Sequence, residues 1–326
     1  MSDKGQPYQF GLVDSLMAEA GGVPQAALHL DVDAICHAYE AVEPIARRLG
    51  VEPPRPGLAG LAYIHVSTLG AEVTISPDAN EPYIEPCIRS LEDIDRLEEP
   101  DDYLAAELVK HRLGLVDQLK RRRPDASDHI GHDFEGPITT AALLMGQDFF
   151  MLPYDDPARA HRLIEFGVRS ALNYHKVLAQ HQQRPTRPGR GGFPDDFAGM
   201  FPPDVFRRFV LPYWRMMLDG LGVTERHVHS ELLREEHLPF LAELGVDVFD
   251  PSVDQYLSPE VVARCCPVRY FLRIWPSDVE RLSADELVDQ YRYLASFKPV
   301  AVTFHLARLA DEAKIAALLK VARQMA

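Results

Sequence analysis

Along the last third of the chain, short apolar runs rich in β-branched and aromatic residues alternate with longer stretches whose apolar positions recur every three or four residues. The first pattern predicts strands and the second amphipathic helices, so their alternation predicts parallel βα units. The predicted strands are His227–Leu232, Val246–Phe249, Val268–Ile274 and Val300–Phe304, each followed by a turn and a helical stretch. Four such repeats, about 20 to 30 residues apart, fit the second half of an eightfold α/β barrel. The expected fold class is therefore α/β, a single (β/α)8 TIM barrel over residues 61–326 behind an N-terminal helical extension over residues 1–60. A doubly wound sheet is the structural alternative, but no glycine-rich phosphate-binding fingerprint follows a strand.

Helix starts are legible from capping chemistry. Asp155 or Asp156 stands before Pro157 and opens a helix in which Ile164, Val168, Leu172 and Leu178 keep a helical period. Pro202-Pro203-Asp204 and Ser258-Pro259-Glu260 open two more, and Ser283 to Glu286 has the form of a capping box. A helix from Asp33 to Leu49 closes at Gly50. The run QQRPTRPGRGG, residues 182–192, has no strand pattern and reads as a loop.

Composition narrows the function. Hydrophobic residues make up 46% of 326, enough for a large core, and the net charge of −15 argues against a nucleic-acid or anionic-membrane surface. The four cysteines, Cys36, Cys87, Cys265 and Cys266, form no C-x-x-C pair and suggest no disulfide framework. The N-terminus lacks a signal pattern and no window approaches a membrane span, so the expected location is cytoplasmic.

The candidate chemistry centres on histidine. Alternation in a strand puts His227, His229 and Glu231 on one face, and His305 ends the last predicted strand. Imidazoles aimed inward from strand ends suit a divalent metal, most readily Zn2+. Glu231 reads as a ligand, as an acceptor for an imidazole N–H or as a general base; equally it reads as a first-turn acid of the following helix. In DHIGHDFEGP, Asp133 or Glu135 can orient a substrate or act as a base. Arg273 lies inside an apolar strand, where an unpaired guanidinium is costly, so it should meet a carboxylate partner or a substrate anion. Trp275 follows on the same face as a pocket wall. Arg184, Arg187 and Arg190 can close over an anionic substrate, or stay solvated. Asp250 precedes Pro251 and reads as a turn residue or a supporting acid.

Several segments in this order resemble the uroporphyrinogen decarboxylase superfamily. These are PYIEPCIRSLEDIDRLEEPD, then GPITTAALLMGQDFFMLPYDDPARAHRLIEF from Gly136, then PDDFAGMFPPDVFRRFVLPYWRMMLDGL from Pro194, then HVHSELLREEHLPFLAELGVDVFDP. The resemblance covers roughly residues 60–326 and implies a single (β/α)8 barrel. One branch of that superfamily decarboxylates porphyrinogens without metal, using an N-terminal arginine-rich motif. The first 55 residues here hold only Lys4, Arg47, Arg48 and Arg55 as cations. An octa-anionic substrate without arginine clamps is disfavoured on electrostatic grounds.

The other branch consists of zinc methyltransferases that work with corrinoid proteins. Their His-x-Cys pair and distant Cys match His227, His229 and His305, so the positions coincide and the ligand types differ. Asp195 and Asp196 match the family's paired acids, Asp195 read as a substrate contact and Asp196 as a catalytic carboxylate, or equally both as caps of the helical stretch from Phe197 to Met200. The expectation is thus a metal-dependent methyltransferase-like enzyme moving a methyl group between a small methylated substrate, or a methyl-corrinoid protein, and an acceptor. The alternative is a metal-dependent decarboxylase or lyase acting on a small carboxylic acid. Expected partners are a small-molecule substrate, a corrinoid protein and, in a homodimer, a second copy of the chain.

Overall fold

Nine strands and the helices between them carry out the predicted alternation in a computed structural model that describes residues 7–76, 82–131, 134–187 and 189–326. The strands are β1 (Tyr8–Leu12), β2 (Glu72–Thr74), β3 (Tyr83–Glu85), β4 (Arg190–Pro194), β5 (Glu225–His229), β6 (Val248–Asp250), β7 (Arg269–Tyr270), β8 (Leu272–Arg273) and β9 (Val302–Leu306). β4, β5, β6 and β7 pair in parallel in that order, and β8, β9 and β1 make a second parallel set. Only Phe271 separates β7 from β8. Its amide donates to Phe249 O at 3.0 Å, while the Leu272 amide donates to Ala301 O at 3.2 Å on the other side. The predicted strand Val268–Ile274 thus serves both sets, and six strand positions follow one another around a TIM-barrel-like sheet.

Two extended segments occupy the gap between β1 and β4. Gly136 N donates to Pro194 O at 2.5 Å, Ser127 N to Pro56 O at 2.7 Å, and Gly60 N to Asp14 Oδ2 at 3.1 Å. Among the described residues no strand ladder closes the ring there. Arg112 takes over part of that work. Its guanidinium is completely buried, and it donates to Ala59 O at 2.7 Å and to Ile130 O, one carbonyl on each segment. Burial lowers its pKa to about 10, but the carbonyl acceptors keep the charge tolerable.

Two expectations need correction. Residues 1–60 are not solely a helical extension, because β1 pairs along its whole length with β9, Tyr8 opposite Val302 and Leu12 opposite Leu306. The helices Asp14–Gly21 and Val32–Leu49 then follow. The expected loop at 182–192 ends inside β4. Glycines enter that strand because a Cβ on Gly192 would fall 1.7 Å from His227 O, so the two backbones pair only where no side chain intervenes.

The capping rules hold closely. Gly50 takes the left-handed conformation at the end of Val32–Leu49, Asp156 caps Pro157–His181, and Ser283 with Glu286 forms the capping box of Ala284–Ser296. The long helix Pro157–His181 buries Leu163, Ile164, Val168 and Leu178, each worth about 1.5–3 kcal/mol of transfer free energy, while Leu172 is half-buried. Among the described residues no helix is long and apolar enough to cross a membrane.

Candidate active site

In β5 the period of two sends Val228 into the core and leaves Glu225, His227 and His229 on the opposite face. The two histidines meet very different neighbours. His227 Nε2 accepts a hydrogen bond from Arg190 Nε at 3.1 Å, and Glu225 pairs with Arg190 at 3.3 Å and with Arg269 at 2.9 Å. Burial, then the Arg190 charge, hold His227 below its ordinary pKa. This group lies at the amino ends of β4, β5 and β7, and Arg190 and Arg269 are exposed.

His229, at the carboxyl end of β5, sits between two acids. Its Nδ1 is 3.1 Å from Asp250 Oδ2 at the end of β6, and its Nε2 is 3.3 Å from Asp196 Oδ1, just past β4. Burial works to lower its pKa, but Asp196 and Asp250 outweigh it and raise the value to about 10. His229 is therefore an imidazolium at neutral pH. Asp250 Oδ2 also accepts from Arg273 Nη2 at 3.0 Å, and its Oδ1 accepts from Ser252 N at 2.8 Å. Burial pushes Asp250 up, yet His229 and Arg273 hold it below the usual carboxylate range. The guanidinium inside the apolar strand thus has the carboxylate partner its position requires.

Glu135 completes the cluster from the segment before the helix Pro137–Met145. It is 6% exposed, and its Oε2 has no hydrogen-bond partner among the described residues. Burial, then the charges of Asp196 and Asp195, raise its pKa well above the ordinary value, with His229 opposing. Its environment thus favours the protonated form, beside Asp196 and the His229 imidazolium.

Asp195 plays another part. It is fully buried and accepts from Thr139 N at 2.7 Å, Ile138 N at 3.3 Å and Trp214 Nε1 at 2.6 Å. Burial raises its pKa to about 6 against those bonds. It caps the helix Pro137–Met145 and anchors Trp214, so the expected substrate contact at Asp195 is corrected to a structural one. Gly136 is obligatory beside it, since a Cβ there would lie 2.4 Å from Asp195 Cβ. Ser230 Oγ locks the same corner by donating to Asp195 O at 2.8 Å.

The model of the family described as uroporphyrinogen decarboxylase (URO-D) matches residues 61–269, well over half of the chain. The chain belongs to the URO-D family. A solved methyltransferase from Methanosarcina mazei superposes with a TM-score of 0.71 over 98% of this chain and 94% of that one, at 13% identity, which establishes a shared fold. No curated protein sequence matches.

In this URO-D chain the expected three-imidazole centre is not assembled. Among the described residues no group of three or more His, Cys, Asp or Glu side chains is placed to hold a metal ion. His227 has its Nε2 lone pair engaged by Arg190, and His229 faces carboxylates with both nitrogens. His305 lies over β1, where a Cβ on Gly11 would come 2.9 Å from its Cδ2. Burial and then Arg273 lower its pKa, with Asp250 opposing, so a guanidinium lies nearby. A donor set needs free lone pairs, but His227 is engaged by Arg190, His229 is an imidazolium, and a guanidinium stands near His305.

The other expected residues divide by position. Arg190 is at the amino end of β4, away from the carboxyl-end cluster, so the expected substrate contact is corrected to a partner of His227 and Glu225. Glu231 lies beyond the strand end, with Asp254 close enough to feel its charge. Trp275 follows β8 and lines a cavity with Arg273. Asp133 lies outside the described residues, as does His132. Asp250, expected as a turn residue or a supporting acid, supports His229 and Arg273 and also accepts from Ser252 N. Its position at the end of the apolar run VDVFD was the available signal, since carboxyl ends of barrel strands carry the chemistry.

Proposed function

We infer that this chain is an enzyme of the methyltransferase type, taking a methyl group from a small methylated substrate and passing it to an acceptor. The observation that carries this reading is the buried Glu135 oxygen without a partner among the described residues, set beside Asp196 and His229 at the carboxyl end of the sheet. In the reaction the bond between the substrate heteroatom and its methyl carbon breaks, and that electron pair stays on the heteroatom. The acceptor's electron pair takes the methyl carbon. The heteroatom takes the Glu135 proton, and the His229 imidazolium stabilises the carboxylate left behind. A positioned acid of this kind contributes a factor of about 10²–10⁴ in rate. Asp250 and Arg273 hold the imidazolium in place.

A corrinoid protein is the methyl acceptor in this reading. Zinc in a three-histidine site is the expectation that the donor arrangement supports least, and no step here runs through a metal. A second reading, a lyase acting on a small carboxylic acid, draws on the same groups: Arg273 would hold the carboxylate and Glu135 would protonate the carbanion.

One assay separates them. Purified protein is incubated with methoxyarenes, methylamines or methyl thioethers and reduced cobalamin, and methylcobalamin is followed by its absorbance. Methylcobalamin formation that disappears in Glu135→Gln is the expected result. Carbon dioxide released from a small acid without any acceptor would replace methyl transfer by the lyase reading.

A further inference from the structure

A cavity of about 520 Å³ opens beside the acidic cluster, between the segment after β6 and the helices that follow β8. Three buried polar atoms on its lining residues have no hydrogen-bond partner among the described residues: Arg273 Nε, Asp254 Oδ2 and Gln290 Oε1. They come from three separate parts of the chain, and the rest of each side chain is held. Arg273 Nη2 is on Asp250, Asp254 Oδ1 accepts from Tyr256 N at 2.7 Å, and Gln290 Nε2 donates to Asp278 Oδ2 at 2.7 Å. Each free atom is thus fixed by its own partner bonds. Leaving such atoms unmet is costly, and buried orphans are rare enough to need an explanation. One is a donor on a cation and two are acceptors, one of them on Asp254, which is 8% exposed. Trp275 and Tyr293 add aromatic walls.

We propose that this cavity recognises a small zwitterion, an amino acid or N-methylated amino acid, with its carboxylate on Arg273 and its ammonium N–H groups on Asp254 and Gln290. The complementary pattern of one donor and two acceptors selects a ligand carrying both groups over one carrying either alone. Ammonium beside Trp275 and Tyr293 gains from the ring faces. Burial, with the Glu231 charge, holds the Asp254 carboxyl above its ordinary pKa, against the amides of Tyr256, Leu257 and Leu232, and a ligand ammonium would oppose that rise. The inference rests on the methyl-transfer reading only in making this ligand the methyl-bearing substrate; binding itself needs no acceptor.

The test is isothermal titration of the full chain with sarcosine, glycine and alanine, against acetate, methylammonium and glycine betaine. Acetate and methylammonium each lack one of the two charges, and betaine lacks every N–H. The expected result is saturable binding of at least one zwitterion bearing an N–H, at least tenfold tighter than all three controls. Asp254→Asn and Gln290→Leu should each weaken it tenfold or more. No saturable heat, which is what a cavity satisfied by water alone would give, overturns the proposal. So does equal affinity for betaine, or binding unchanged in both variants. If a variant fails to fold, the comparison of ligands on the native protein still decides. Binding without methyl transfer keeps this site and removes the proposed function; methyl transfer from substrates lacking the zwitterion, with no zwitterion binding, does the reverse.

Discussion

Two histidines stand two residues apart on one strand and end in opposite charge states. His227, toward the amino end of β5, is crossed by Arg190 and is held neutral. His229, at the carboxyl end, lies between Asp196 and Asp250 and is held as a cation. The residue type and the strand face are the same; only the neighbouring strand ends differ. The amino-end group of Arg190, Glu225, His227 and Arg269 is a solvated surface network. The carboxyl-end group of Asp196, His229, Asp250 and Arg273 is half-buried and is gathered around a buried Glu135, whose pKa burial raises. Chemistry belongs to the second group because an enclosed site strengthens each charge and lets a carboxyl group stay neutral.

The largest expected effect breaks the comparison at its acids. Glu135→Gln should lower turnover by about 10²–10⁴ while the fold is retained. Glu225→Gln, at the amino end, should leave turnover within about twofold, since an exposed pair contributes little. Equal losses in the two variants would erase the distinction between the ends.

Next come the arginines, read by chemical denaturation. Arg273→Met removes one of the two cations that half-buried Asp250 faces and should destabilise by about 1.5–3 kcal/mol. Arg269→Met removes an exposed partner of Glu225 and should cost about 0–1 kcal/mol.

The pH dependence of stability sharpens the contrast between the histidines, because the signs oppose. An unfolded histidine titrates near 6.5. His229, raised to about 10, contributes stability that is complete below about pH 6.5 and is lost as pH rises toward 10. His227, lowered, makes the fold less stable as pH falls through about 6.5, because the unfolded chain then binds the extra proton. Melting curves of His229→Gln should therefore lose part of the alkaline decline, and those of His227→Gln part of the acidic one. The reverse assignment would show the charge states to be wrong.

The smallest expected effect is in metal content. Purified protein supplied with zinc should retain less than one ion per chain, and His229→Ala should leave that content unchanged. One zinc per chain that His229→Ala abolishes would restore the three-imidazole centre.

Local physics made much of the fold legible. Gly50, Asp156 with Pro157 and the Ser283–Glu286 box each act within a few residues, and their helices begin or end where such rules place them. Arg273 announced its need for a carboxylate, because an isolated guanidinium in an apolar strand is too costly to leave unpaired. Asp250 was visible as a strand-end acid but not as that partner. β1 was illegible because its partner strand lies nearly three hundred residues away. β4 was hidden because glycine carries no strand signal, and only the approach of His227 O requires it there.

By itself, then, the order of apolar and polar residues determined the alternating elements and the strand ends where reactive groups could gather, while particular segments carried the family resemblance. Which groups met, and with what charge, was left to tertiary structure. A histidine's protonation, a glutamate's raised pKa and a guanidinium's partner depend on burial and on charges a few ångströms away. Those distances are set by the registers of strands far apart in the chain.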